Sequence, residues 1–182
     1  MWTDCVRNWY NEFIENKFVC LITGPAGAGK SSVSKALVKK FSRSAVVEVD
    51  KLRAMIIGGY VKPWPYTEEV DLQLSLSASN ACDVANNLLE KGFNVFIDDV
   101  VGKKLLGQYS EYFKNVKFKT ILLLPSTESL LKRFDDRGDN QELRQRTIDL
   151  SDKFSKTKNE MDWIVIDSSN QTLDETVEEI YN

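Results

Sequence analysis

The run "LITGPAGAGKSSVSKALVKKF", Leu21 to Phe41, places three glycines between an apolar stretch and an amphipathic one. Glycine interrupts both strands and helices, so such a cluster needs a reason. Gly24-Pro25-Ala26-Gly27-Ala28-Gly29-Lys30-Ser31 fits G-x-x-x-x-G-K-[ST] at every required position. "FVCLIT" before it reads as a buried strand. "SSVSKALVKKF" after it carries Val33, Ala36, Leu37 and Phe41 at helical spacing. Glycines let backbone N–H groups turn inward around an anion, and the following helix points its positive end at the same place. In that reading Gly24 to Ser32 cradle the phosphates of ATP. Lys30 reaches the β- and γ-phosphates, and the Ser31 hydroxyl binds Mg2+. The plainer alternative is an ordinary Gly-rich turn from strand to helix.

The rest of the composition narrows the chemistry. At 182 residues, 42% hydrophobic and 28% charged, the chain reads as one globular domain spanning residues 1–182. A net charge of -3 gives no global basic footprint for nucleic acid. "MWTDCVRNWYNEF" lacks the layout of a signal peptide, and no apolar run is long enough to span a membrane. Cys5, Cys20 and Cys82 lie far apart, and Cys20 falls inside the first apolar strand. A buried free thiol there favours a reducing compartment, so the expected location is the cytoplasm. The chain has no histidine. That excludes histidine metal sites and histidine general bases, leaving the carboxylates as the best candidates for a base.

Apolar runs alternate with helical patterns along the chain. Expected strands are Phe18–Thr23, Ala45–Val49, Asn94–Ile97, Thr120–Leu124 and Trp163–Ile166. Expected helices are Lys30–Phe41, Glu68–Lys91, Leu105–Phe113, Thr127–Arg137, Gln141–Lys153 and Leu173–Tyr181. "TLDE" at Thr172 predicts a capping box for the last helix. Trp2, Val6, Trp9 and Phe13 have helical spacing and read as packing. The α/β alternation predicts a parallel sheet covered on both faces, with ligands at the carboxyl ends of its strands.

The residues just past each strand are therefore the candidates. After the second strand, "VEVDKLRAM" puts Asp50 at the strand tip and Arg53 one helical turn later. A carboxylate can orient an acceptor hydroxyl and take its proton, and an Arg beside it can hold an anionic or polar acceptor. Asp50 alternatively reads as a helix cap. After the third strand, "FIDDVVGKK" places Asp98 where it can bind Mg2+ and Asp99 where it can face the acceptor. The alternative is two solvated turn acids. After the fourth strand, Arg133 and Arg137 lie four apart on one helix face, with Gly138 beyond them. Arginines on a mobile arm at residues 133–146 could serve a transferred phosphoryl group, with Arg137 as the catalytic candidate. Arg144 and Arg146 follow on the same arm; the plainer alternative, stronger for these two than for Arg133 and Arg137, is a solvated helix salt-bridged by the interleaved acids Asp135, Asp136, Asp139 and Glu142. The loop "DSSNQT", with Asn170, can meet the adenine, or is a polar turn into the last helix. The irregular "GGYVKPWPYTEE" places Tyr60, Lys62 and Trp64 where an acceptor pocket would form, or merely caps the core.

"GPAGAGKSS", "VDKLRAM", "FIDDVVG" and the R-x-x-x-R-G-D of Arg133 to Asp139 resemble, in the same order, the small P-loop kinases that include chloramphenicol phosphotransferase. These are often grouped with AAA-type ATPases on the P-loop alone. The resemblance implies an α/β P-loop NTPase fold with a five-stranded parallel sheet in the order 2-3-1-4-5 and a small arginine-bearing lid. It implies that Asp50 is the base for the acceptor hydroxyl and that Arg133 and Arg137 bind ATP. The segment Gly58 to Glu69 departs from that of the chloramphenicol enzyme. Gluconate and shikimate kinases and 5′-hydroxyl polynucleotide kinases share the same core.

Three classes follow. The favoured one is an ATP- and Mg2+-dependent kinase acting on a small-molecule hydroxyl, as a monomer or homodimer. A nucleotide switch or AAA-like machine fits less well, because the acid pair is Asp98-Asp99 and no length remains for a second domain. A kinase acting on nucleic-acid ends is disfavoured by the negative charge and the acids among the arginines, and is kept as an alternative.

Overall fold

The computed structural model describes residues 17–137 and 141–181, without the side chains of residues 137, 141 and 142. The expectations for Trp2 to Phe13, Cys5 and Gly138, and for the side chain of Arg137, lie outside it.

Five strands form one sheet: β1 (Phe18–Thr23), β2 (Ser44–Glu48), β3 (Asn94–Asp98), β4 (Lys117–Leu123) and β5 (Ile164–Ile166). All pairs are parallel and the order is β2-β3-β1-β4-β5. Every residue of β1 is buried, as a central strand covered on both faces must be. Its side chains alternate between two cores. Val19 and Leu21 join the core on one face, and Phe18, Cys20 and Ile22 the core on the other.

The helices are α1 (Lys30–Leu37), α2 (Val49–Arg53), α3 (Glu68–Glu90), α4 (Lys103–Tyr112), α5 (Thr127–Arg137), α6 (Gln141–Thr157) and α7 (Leu173–Tyr181). Val33 and Leu37 of α1 and Val177 and Ile180 of α7 cover the second core. Against the first lies α3, whose Ala78, Ala81, Cys82 and Ala85 form a stripe of small side chains along its buried face. Thr67 caps α3 by accepting from the Val70 N–H at 3.2 Å. The predicted capping box opens α7. Thr172 Oγ1 accepts from the Glu175 N–H at 3.2 Å, and the Glu175 carboxylate accepts from the Thr172 N–H at 2.8 Å.

Cys20 and Cys82 are buried free thiols, and burial pushes both well above the ordinary cysteine range. No described helix is long and apolar enough to cross a membrane.

Candidate active site

The loop between β1 and α1 is shaped by its glycines. Gly24 has φ 147°, and a Cβ there would lie 2.3 Å from the Leu123 carbonyl oxygen on β4. Gly29 has φ 96° at the N-cap of α1, with open space around the missing side chain. The first glycine closes the loop against the sheet, and the second leaves its mouth clear. Gly24→Ala is expected to lower unfolding stability by about 1–3 kcal/mol, through overpacking and a disfavoured φ. Urea denaturation measures it, and an unchanged midpoint would contradict the close approach.

Lys30 lies within the loop, its Nζ donating to the Pro25 carbonyl at 3.2 Å. Burial pulls its pKa down, and Asp98, Asp50 and Asp99 push it back up. Ser31 donates from Oγ to Asp98 at 2.5 Å. The sheet order explains that contact. β3 lies beside β1 with Asp98 in register with Ile22, so the acid ending β3 reaches the start of α1. Burial raises the Asp98 pKa, opposed by the Lys30 charge and the Ser31 hydroxyl.

This donor set fits an ATP·Mg2+ complex. A hydroxyl and a carboxylate on adjacent elements match the protein ligands of a metal otherwise held by phosphates and water. Ser31 and Asp98 would hold the metal and Lys30 the phosphates, and the ion would neutralise charge on the transferred group.

A cleft of about 870 Å³ opens beside the loop at the carboxyl ends of the strands. Lys30, Asp50 and Asp99 line it from the sheet side, and Tyr60 and Trp64 from the irregular segment. Asp50 is the second residue of α2, one position later than a strand tip, because β2 ends at Glu48. Its side chain is 88% exposed, and Arg53 Nη2 approaches it at 3.4 Å. Arg53 itself is buried, with its guanidinium 5.8 Å from the centre of the Tyr60 ring. Asp99 is more constrained. Tyr109 Oη donates to it at 2.9 Å and the Val100 N–H at 2.7 Å. Burial outweighs both bonds and pushes its pKa up to about 6. Lys62 is exposed and is not part of the cleft wall, so its predicted place beside an acceptor is not met.

Arg133 lies elsewhere. Its Nη2 donates to the Ser168 carbonyl at 2.5 Å and Nη1 to the Ala28 carbonyl at 3.5 Å, tying the glycine loop to the loop after β5. Asn170 is exposed on that second loop. The expected arm, residues 133–146, includes the end of α5 and the start of α6. Arg144 lies 3.6 Å from Asp135, as its solvated reading predicts.

Two side chains escaped the sequence reading. Arg146, which the sequence leaves open between an arm arginine and a solvated one, is half-buried and lines the cleft. Burial lowers its pKa, and so does Arg53, while Asp50 raises it. Its spacing with Leu150 and Phe154, on one face of α6, is the signal that could have found it. Gln73 is the other. It is buried on α3, donating to the Gly59 carbonyl at 2.8 Å and accepting from the Val61 N–H at 3.2 Å. One amide thus fixes the backbone of the segment that presents Tyr60. Gln73→Ala is expected to cost about 1–3 kcal/mol, since it removes two hydrogen bonds from a buried side chain to the backbone. It should also weaken acceptor binding more than nucleotide binding. Denaturation and paired titrations check both, and equal losses for the two ligands would contradict the clamp.

A glycine-loop phosphate cradle on this parallel sheet defines a P-loop NTPase fold. The chain belongs to the AAA domain family, whose match spans residues 20–171. Its structure is similar to that of a gluconokinase from Sinorhizobium meliloti 1021, at 18% identity and a TM-score of 0.65, covering 90% of this chain and 89% of that one. It is similar to the Deinococcus radiodurans tunicamycin resistance protein, at 16% identity and a TM-score of 0.62, with coverage of 90% and 93%. It is also similar to a shikimate kinase from Acinetobacter baumannii, solved with shikimate, at 17% identity and a TM-score of 0.59, with coverage of 95% and 91%. No curated protein sequence matches the chain.

Proposed function

We propose that this protein is an ATP- and Mg2+-dependent kinase that phosphorylates the hydroxyl of a small molecule. The observation that carries the reading is the cleft itself. Lys30 of the phosphate loop and Asp50 face one space large enough for a second substrate. A nucleotide switch has no use for a carboxylate and an aromatic wall opposite the γ-phosphate position. Several proteins of this fold are kinases of small hydroxylated compounds by name, which supports the same class.

In this reading the acceptor hydroxyl gives its proton to Asp50 as its oxygen bonds to the γ-phosphorus. The bond between that phosphorus and the β–γ bridging oxygen breaks, and ADP leaves. Lys30 offsets the charge on the phosphoryl oxygens, and Mg2+, which Ser31 and Asp98 would hold, would add to that. Arg137 is the candidate lid cation, and Arg133 and Asn170 lie toward the expected adenine side. The fold and its thiols fit a cytoplasmic enzyme.

A thermal-shift screen tests the class. ATP·Mg2+ and then hydroxylated metabolites, antibiotics and short 5′-hydroxyl oligonucleotides are added to the full chain. Stabilisation by ATP·Mg2+, with a further rise for a small hydroxylated compound, is the expected result. A further rise with oligonucleotides alone would redirect the reading to nucleic-acid ends, and no response to ATP·Mg2+ would reject it.

A further inference from the structure

The charged groups lining the cleft differ in how well they are engaged once ATP·Mg2+ is assigned its partners. Asp98 is taken by Ser31 and the metal, and Lys30 by the phosphates. Asp71 at the rim accepts from both Tyr66 and Lys104. Asp149 accepts from Gln145 at 2.8 Å. Asp99 is held by Tyr109 and the Val100 N–H. Lys103 and Lys153 line the side of the cleft near Gly102, and Glu160 also lines the cleft. The same cleft holds two guanidiniums, Arg53 and Arg146, with Asp50 as their nearby acid.

That pair is poorly satisfied. The Arg53 side chain is only 9% exposed, and its contact with Asp50 is long at 3.4 Å. Its Nε is buried with no hydrogen-bond partner. A buried donor without a partner is costly, and a guanidinium offers its donors in a fork that suits a carboxylate or phosphate. Arg146 comes from a different element and adds a second positive charge close enough to perturb, and be perturbed by, the first. Two like charges converging in a half-enclosed space repel unless an anion lies between them. Beside them, Tyr60 and Trp64 form one wall, and Leu74, Leu150 and Phe154 contribute apolar surface to the others.

We propose that Arg53 and Arg146 form an oxyanion site for the acceptor. The molecule phosphorylated therefore carries a carboxylate or phosphate of its own beside the hydroxyl, on a flat or apolar body that packs against Tyr60 and Trp64. The inference rests on the phosphotransfer reading and narrows its substrate class: a neutral polyol leaves the guanidiniums unpaired, and a hydroxylated organic anion pairs them. Arg53 and Arg146 bind and orient, while Asp50 stays free for the hydroxyl proton.

The test uses the full chain with its phosphate loop first saturated by a non-hydrolysable ATP analogue and Mg2+, so that anions cannot bind there. Three probes of one shape are then titrated by calorimetry: para-hydroxymethylbenzoate, para-hydroxymethylphenyl phosphate and the neutral para-hydroxymethylbenzamide. At least one anionic probe is expected to bind about tenfold or more tighter than the amide. The better of the two anions says whether the site prefers a carboxylate or a phosphate. Arg146→Gln should bring the anions down to the level of the amide, and Arg146→Lys should restore part of the difference. Arg146 is only half-buried on α6, which favours a folded variant, and Arg53→Lys tests the same pair from the other side. Equal binding of anions and amide, absence of binding by all three, or full anion preference in Arg146→Gln would overturn the inference. Failure of the ATP analogue to bind in the first step is a different result and would strike the phosphotransfer reading itself. A 5′-hydroxyl oligonucleotide that outcompetes the bound anionic probe would overturn the small-molecule assignment.

Discussion

Asp50→Asn is expected to leave ATP·Mg2+ affinity near that of the wild type and to lower phosphoryl transfer by about 10²–10⁴. The chain has no histidine, so the base must come from another group, and carboxylates are the best candidates. The structure separates the candidate acids by their engagements. Asp98 is bound to Ser31. Asp99 has both oxygens occupied, by the Tyr109 hydroxyl and the Val100 N–H. Asp167 accepts from Ser169 in the loop after β5, away from the cleft wall. Asp50 lines the cleft with an exposed carboxylate and one long contact. Asparagine keeps the shape and an acceptor oxygen but cannot take a proton. The loose transition state of phosphoryl transfer makes proton removal late, so the loss should fall toward the lower end of that range. Nucleotide titration and product analysis on the same preparation measure the two effects. Transfer at the wild-type rate would leave Asp50 as a residue of the first turn of α2 and move the search to Asp99.

Lys30→Ala is expected to reduce both nucleotide affinity and turnover, with turnover falling by about 10²–10³. Its ammonium rests against the Pro25 carbonyl in a buried loop that lowers its pKa. A γ-phosphate favours the charged form, and the interaction strengthens as negative charge moves toward the leaving oxygen. The fold should survive, because the Pro25 carbonyl also accepts from the Ala28 N–H at 3.2 Å. Circular dichroism checks the fold, and titration with steady-state kinetics checks the rest. Unchanged affinity and turnover would mean that the loop is only a turn.

Much of this arrangement was legible in the sequence because a few residues carry it. The glycine spacing with Lys30 and Ser31 announced the phosphate loop. The uniformly apolar β1 announced a sheet covered on both faces. Asp98 could be placed because a parallel α/β sheet gathers its ligands at the strand ends, and β3 does lie beside β1. Element ends were less legible where polarity misleads. β4 begins at Lys117, three residues earlier than its apolar run, because Lys117 and Lys119 pair with β1 while remaining partly solvated. α1 ends at Leu37 and tightens into a 3₁₀ turn over Val38–Lys40, although the apolar spacing runs on to Phe41. Phe41 packs edge-on against Phe18 from extended backbone. Arg146 and Gln73 were hidden for a related reason. Their roles depend on tertiary neighbours: Arg53 on α2 for the first, and the backbone of Gly59 and Val61 for the second. Local charge alternation around Arg146 looked like a solvated helix face.

The central claim is that the γ-phosphate of ATP leaves on a second molecule. The most direct measurement is mass spectrometry of acceptor candidates after incubation with ATP and Mg2+, run in parallel on the wild type, Lys30→Ala and Asp50→Asn. The account predicts a hydroxylated compound that gains one phosphoryl group as ADP appears in equal amount, with product sharply reduced in both variants. ADP and free phosphate released with no compound phosphorylated, at rates that Asp50→Asn leaves unchanged, would contradict it and mark the protein as an ATPase.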